Sequence, residues 1–169
     1  MSGRHPARLA APSLVTAGRA ALVIPFGLAL YDGRPVAALA WLGLAAASDV
    51  ADGFLARRLR ACTGFGAYFD ATADFLVVMA GLAGLAAGGF PAWPLAVVVV
   101  MFAQFVLSSG RGRPRYDPVG KYYGGLLFAV IAAGAALRDF AVWYALAVFV
   151  LAITLLSWVS RLNFLGERR

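Results

Sequence analysis

Six apolar segments of near-membrane length constrain this chain more than any other feature. They run roughly from Ser13 to Tyr31, Val36 to Leu59, Gly66 to Ala87, Ala92 to Ser108, Val119 to Leu137 and Phe140 to Val159. Each approaches the ~20 residues that cross ~30 Å of hydrocarbon. Runs rich in Val and Leu also suit strands, but this length and all-round apolarity favour helices, because lipid offers a backbone no water to bond. Asp32-Gly33-Arg34-Pro35 and Gly88-Gly89-Phe90-Pro91 are strong turn signals between segments. Composition agrees: 62% of residues are hydrophobic and 14% charged, where soluble domains average about half apolar and a quarter charged. The predicted fold class is all-α, a polytopic membrane protein with six transmembrane helices. We expect one domain over residues 1–169, with cytoplasmic tails at 1–12 and 162–169.

Arg4 and Arg8 precede the first apolar run, as in a signal peptide, but that run is too long for a secretory core and contains Arg19. It reads as a retained first helix. The distribution of basic residues tests the six-helix count. Alternating sides put 13 of the 15 Lys and Arg residues on one face, leaving only Arg34 and Arg138 on the other. Both termini are therefore expected in the cytoplasm. A net charge of +7 suggests nucleic acid in a soluble protein, but clustering at helix ends points to membrane topology and anionic groups instead. Cys62 is the only cysteine and His5, in the N-terminal tail, the only histidine. Any metal site must be built from oxygen ligands. Gly84 to Gly88 and Gly120 to Gly124 have small-xxx-small spacing, read first as close packing within one subunit.

Four carboxylates interrupt this apolar pattern: Asp49, Asp52, Asp70 and Asp74. The first two are three residues apart and the last two four apart, so each pair shares a helix face. Helices two and three form a hairpin with its tip near Arg60 to Gly64, and antiparallel packing brings both pairs to similar depth. That depth is the cytoplasmic half of the membrane, with Asp49 about 12 Å along the helix from Arg57. Each buried carboxylate costs about 3 kcal/mol at a helix centre. Protons or divalent cations must offset this, and acid pairs on facing helices suit Mg²⁺ or Mn²⁺, as one ion or as two about 4 Å apart. Helix-end charges solvated by headgroups and a proton relay are the alternatives.

Written out, the spacing is D-x2-D-G-x2-A-R-x8-G-x3-D-x3-D, from Asp49 through Gly53, Ala56, Arg57 and Gly66 to Asp74. It resembles the signature of the CDP-alcohol phosphotransferase family at every fixed position. The resemblance implies a six-helix membrane protein, commonly a homodimer in the plasma (inner) membrane with its site on the cytoplasmic side. It implies transfer of a phosphatidyl group from a CDP-alcohol, usually CDP-diacylglycerol, to an acceptor alcohol, with release of CMP in phospholipid synthesis. By resemblance, Asp49, Asp52, Asp70 and Asp74 hold the metal and Asp74 is the general base. Asp49, Gly53 and Arg57 bind the CDP-alcohol. Thr63 matches a threonine often found before the motif's second glycine and is a further CDP contact; a plain loop hydroxyl is the other reading. Ser13 to Arg19 resembles an N-x-x-T-x-x-R pattern, which assigns Thr16 and Arg19 to the nucleotide site, although Arg19 also suits snorkelling to headgroups.

Gly120-Lys121 resembles a G-K pair at the start of the fifth helix in phosphatidylglycerophosphate and cardiolipin synthases. With Arg111, Arg113 and Arg115 it makes a cationic mouth for an anionic acceptor, or else a cytoplasmic anchor. The chain departs from the D-P-x-A-D-K of phosphatidylglycerophosphate synthases, reading Asp70-Ala71-Thr72-Ala73-Asp74-Phe75. It meets the D-S-T-x-D-R of inositol-phosphate-using members only at Asp70, Thr72 and Asp74. Glycerol 3-phosphate is the expected acceptor, with another polyol phosphate or phosphatidylglycerol as alternatives. A small cation or proton transporter is the rival from outside enzymology.

Overall fold

The computed structural model describes residues 18, 21–59, 64–109 and 119–166, and every regular element among them is an α-helix. These are α1 (Ala21–Tyr31, the described part of the first helix), α2 (Pro35–Leu59), α3 (Gly64–Ala87), α4 (Trp93–Ser109), α5 (Gly120–Ala136) and α6 (Phe140–Gly166). Three of the five expected breaks lie in described residues, and there Gly33, Gly88 to Pro91 and Arg138 fall between helices; the other two, at 60–63 and 110–118, lie outside them. The sixth helix differs from expectation at its end. It runs past Val159 to Gly166, so residues 162–166 are helical; Arg161, buried against α4, extends the packed face past the apolar run.

Local chemistry sets the turns. Gly33 (φ 68°) and Gly89 (φ 110°) occupy the left-handed region that favours glycine. After α1, Arg34 N–H bonds Ala29 O at 2.8 Å and Gly33 N–H bonds Leu30 O at 3.0 Å. After α3, Phe90 N–H bonds Leu85 O and Gly89 N–H bonds Ala86 O, both at 3.1 Å. This is the Schellman pattern twice over, and it satisfies carbonyls a helix end would otherwise orphan. Pro35 begins α2 where its missing N–H costs nothing. Asp139 caps α6, its Oδ1 accepting from Val142 N–H at 3.0 Å.

These three turns lie at one end of the bundle. Arg138 Nη1 donates to Gly33 O at 3.2 Å, and Trp143 Nε1 donates to Gly134 O at 2.8 Å. The Phe90 ring meets Trp143 edge-on. The other end therefore holds the ends of α2, α4 and α6 and the starts of α3 and α5. The core between them joins Phe26 of α1, Leu42 of α2, Leu82 of α3, Ile131 of α5 and Val150 of α6. Close approach needs small residues on α3: a Cβ on Gly84 would stand 2.6 Å from Leu30 Cβ, and one on Gly81 would stand 2.8 Å from Ile131 Cδ1. Gly84 thus packs within the subunit, as expected. Gly124 does not, since a Cβ there meets nothing within 4 Å.

Large apolar side chains also cover the outside, among them Leu28, Val36, Val100, Leu107, Leu156 and Leu162. A helix apolar on every side belongs in a large core or in lipid. Among the described residues, Tyr68–Ala87 and Phe140–Asn163 are long and apolar enough to cross a membrane, while Ala21–Tyr31, Pro35–Ser48 and Trp93–Ser109 are shorter apolar helices.

Candidate active site

Asp70 and Asp74 stand one turn apart on α3, and both line a cavity of about 390 Å³. Among the described residues, four helices enclose it. The α3 wall continues into Phe75, which stacks on Phe102 of α4 with ring centroids 4.1 Å apart. From α5 come Lys121, Tyr123 and Gly124, and from α6 comes Arg161. Thr72 lies on the same turn as the aspartates but is exposed and returns its hydroxyl to Tyr68 O at 2.8 Å. The threonine that suggested an inositol-type motif is not among the cavity's lining residues.

Among the described residues, two cations share this cavity with the two carboxylates. Lys121 is exposed at the start of α5, its Nζ 4.6 Å from the Tyr122 ring centre. Arg161 is only 2% exposed. Its Nε donates to Ser108 Oγ at 2.6 Å, and its Nη2 donates to Ser109 Oγ at 3.0 Å and to Phe105 O at 3.3 Å. The guanidinium also lies over the Phe105 ring at 5.2 Å. Burying a charge is tolerated only when its protons are matched. Here α4 supplies the matches from its C-terminal end, where the helix dipole also favours a cation. Tyr123 joins α5 to α6 through a 2.7 Å bond with Thr154. Thr154 spends its own proton on Val150 O at 2.7 Å, so Tyr123 is the donor between them.

Sequence reasoning counted Arg161 only among the helix-end cations and gave Tyr123, Ser108 and Ser109 no role. A signal was present. Thr154, Ser157 and Arg161 recur at helical spacing on an otherwise apolar helix, and all three are buried. In an apolar helix a polar stripe marks the inward face, the reverse of the soluble pattern. The other expected residues divide in two. Asp49, Asp52, Gly53 and Arg57 fall on the last three turns of α2, but their side chains lie outside the described part. Thr16, Arg19, Thr63, Arg111, Arg113 and Arg115 lie outside the described residues altogether.

No group of three or more His, Cys, Asp or Glu side chains comes together among the described residues. What is described is half of the expected acidic quartet. Asp70 and Asp74 offer hard oxygen donors on one cavity wall, a donor type that fits Mg²⁺ or Mn²⁺ and not a soft metal.

Residues 9–159 match the family model for CDP-alcohol phosphatidyltransferase. The chain belongs to this family, whose members are membrane-bound. It is 37% identical over 116 residues to a CDP-diacylglycerol--glycerol-3-phosphate 3-phosphatidyltransferase of Pseudomonas fluorescens, a match covering 61% of this chain and 59% of that relative. It is 40% identical over 80 residues to a cardiolipin synthase (CMP-forming) of Oryza sativa subsp. japonica, covering 46% of this chain and 24% of that relative. Both matches thus span less than two thirds of the relatives' own lengths. No solved structure gives a significant match.

Proposed function

We propose that the protein transfers a phosphatidyl group from CDP-diacylglycerol to the hydroxyl of glycerol 3-phosphate, releasing CMP, in phospholipid synthesis. The observation that carries this reading is one cavity bordered by two signature aspartates, Asp70 and Asp74, and by two cations, Lys121 and Arg161. A pyrophosphate and a phosphorylated acceptor are both anions, and catalysis between them is mostly positioning and charge stabilisation. The names of both relatives support a CDP-diacylglycerol chemistry. The bacterial relative's name, with the anion-ready pair Lys121 and Arg161, favours glycerol 3-phosphate over an uncharged alcohol.

In this reading the acceptor's phosphate rests between Lys121 and Arg161, and its hydroxyl faces Asp74. The Asp74 carboxylate takes the hydroxyl proton as the oxygen bonds to the lipid-side phosphorus. The P–O bond to CMP breaks, and CMP leaves with the electron pair. Arg57 on α2 steadies the pyrophosphate by its planar fork. Thr16, Arg19, Asp49, Gly53 and Thr63 complete the nucleotide side, while Arg111, Arg113 and Arg115 draw anions to the mouth. Asp49, Asp52, Asp70 and Asp74 would hold Mg²⁺ or Mn²⁺, which when bound supplies positive charge beside the pyrophosphate. The aromatic wall of Phe75, Phe102 and Phe105 keeps water from competing as acceptor.

We place the protein in the inner membrane as a homodimer, one membrane domain of six spans with both termini and the cavity facing the cytoplasm. The pinned turns at Gly33, Gly89 and Arg138 are the far end in this orientation, in line with the 13-to-2 division of basic residues. The deciding experiment incubates purified protein with CDP-diacylglycerol, Mn²⁺ and a panel of acceptors, and identifies the lipid product by mass. CMP release with a phosphatidylglycerophosphate product supports the reading. CMP release with another acceptor alone replaces the substrate, and ion flux in liposomes without CMP release replaces the function.

A further inference from the structure

We infer that the end of the bundle with the pinned turns carries a phospholipid headgroup site, in which Arg34 and Arg138 hold the phosphodiester of a lipid in the leaflet at that end. The site takes no part in the proposed reaction. Two arginines from different turns share one small niche of about 10 Å³, together with Gly33, Pro35 and Gly88. That is room for roughly one oxygen atom. The turns seat Arg138 there. A Cβ on Gly33 would stand 2.9 Å from Arg138 Nη1, and one on Gly88 would stand 3.4 Å from Nη2. The guanidinium thus lies between two glycine turns, in space that larger residues would fill. Its side-chain hydrogen bond among the described residues runs from Nη1 to Gly33 O at 3.2 Å.

Two carboxylates stand nearby, and neither neutralises the pair. Arg34 Nε lies 3.9 Å from Asp32 Oδ2, with both side chains exposed, which is beyond hydrogen-bond reach and a weak attraction in water. Asp139 has Oδ1 engaged by Val142 N–H. Two guanidiniums on one niche repel each other unless an anion joins them, and their planar forks match phosphate oxygens. The surroundings point to a lipid as the source of that phosphate. Tyr31 closes α1, Trp93 opens α4 and Tyr144 lies in the first turns of α6, all three exposed at this end. Exposed Trp and Tyr collect at headgroup level, and basic pockets between membrane helices bind headgroups. Leu28 and Val36, exposed on α1 and α2 beside the niche, offer apolar surface to the lipid's chains. Topology alone gives these arginines no purpose, since they are the two basic residues left on the side the positive-inside rule depletes.

The test titrates detergent-solubilised full-length protein with dioleoylphosphatidylglycerol, dioleoylglycerol or inorganic phosphate, and follows each binding step by native mass spectrometry. Wild type is expected to bind a phosphatidylglycerol molecule that R34Q/R138Q binds on the order of tenfold more weakly. The same binding step should persist in K121Q, which removes a cation from the opposite end. Dioleoylglycerol, which has no phosphate, should bind wild type and R34Q/R138Q alike. If circular dichroism shows that the double variant fails to fold, R34Q alone is measured, with about a threefold loss expected. Equal phosphatidylglycerol affinity in wild type and in whichever glutamine variant is measured overturns the inference. An equal loss for dioleoylglycerol overturns it as well, because the arginines would then act without recognising phosphate. Loss of the same step in K121Q would assign that lipid to the cavity end and overturn the site. Inorganic phosphate bound as tightly as the lipid would make the niche a free-anion site and overturn the headgroup as its occupant.

Discussion

Gly124 offers a way to fill the cavity without disturbing the fold. It lines the cavity from α5, and a Cβ built there meets nothing within 4 Å. Gly124→Leu adds a side chain on the order of 100 Å³, the scale of the hole left when a buried leucine is cut back. About a quarter of the 390 Å³ cavity would be lost. The helix itself would gain, since glycine is worse than leucine in a helix interior by up to about 1 kcal/mol. Thermal unfolding in detergent should therefore show an unchanged or higher midpoint, while CMP release falls at least about tenfold. Gly81→Ala is the control: its Cβ would press on Ile131 at 2.8 and 2.9 Å and on Phe26 at 3.1 Å, a crowding that costs about 1–3 kcal/mol. Full turnover by well-folded Gly124→Leu protein would mean the cavity is not where the substrates meet. A stability loss matching that of Gly81→Ala would mean that Gly124 is a packing residue after all.

Three further outcomes are expected. Asp74→Asn should lower CMP release by about 10²- to 10⁴-fold with helical circular dichroism unchanged; a turnover-competent protein would remove Asp74 as the base. Chelation with EDTA should abolish CMP release, and added Mn²⁺ or Mg²⁺ should restore it; full activity in EDTA would remove the metal from the reading. Gly84→Ala, whose Cβ would stand 2.6 Å from Leu30 Cβ and 3.2 Å from Gly27 O, should lower stability by about 1–3 kcal/mol in denaturant titration, with acceptor KM unchanged in the protein that remains folded.

Helices and turns were legible because their causes are local. Glycine supplies the positive φ at Gly33 and Gly89, and proline and charge mark the breaks. The pairing of Asp70 with Asp74 was legible for the same reason, since four residues make one turn. Arg161 was not. Its significance depends on Ser108 and Ser109, more than fifty residues earlier in the chain, and no periodicity connects α4 to α6. Counting it among the basic residues that set the topology was sound electrostatics applied to a side chain that is in fact buried. Gly124 misled in the opposite way. Small-xxx-small spacing signals close approach only when a neighbouring helix fills the gap, and at Gly124 the gap is the cavity.

The two ends of the bundle are built on opposite principles. At the pinned end, backbone carbonyls, Arg138 and Trp143 close the turns with bonds that lead to no sizeable cavity. At the cavity end, Asp70 and Asp74 on α3 line one cavity with Lys121 on α5 and Arg161 on α6. Carboxylates and cations gathered in a poorly solvated site are costly unless their charges are neutralised. An anionic substrate accompanied by divalent cations would contribute to that neutralisation, the cations towards the carboxylates and the phosphates towards Lys121 and Arg161. The same arrangement suits a cation conductor poorly, since the buried guanidinium held by Ser108 and Ser109 would repel the ion beside its binding carboxylates. Arg161 therefore weighs towards phosphate chemistry independently of the signature on α2 and α3.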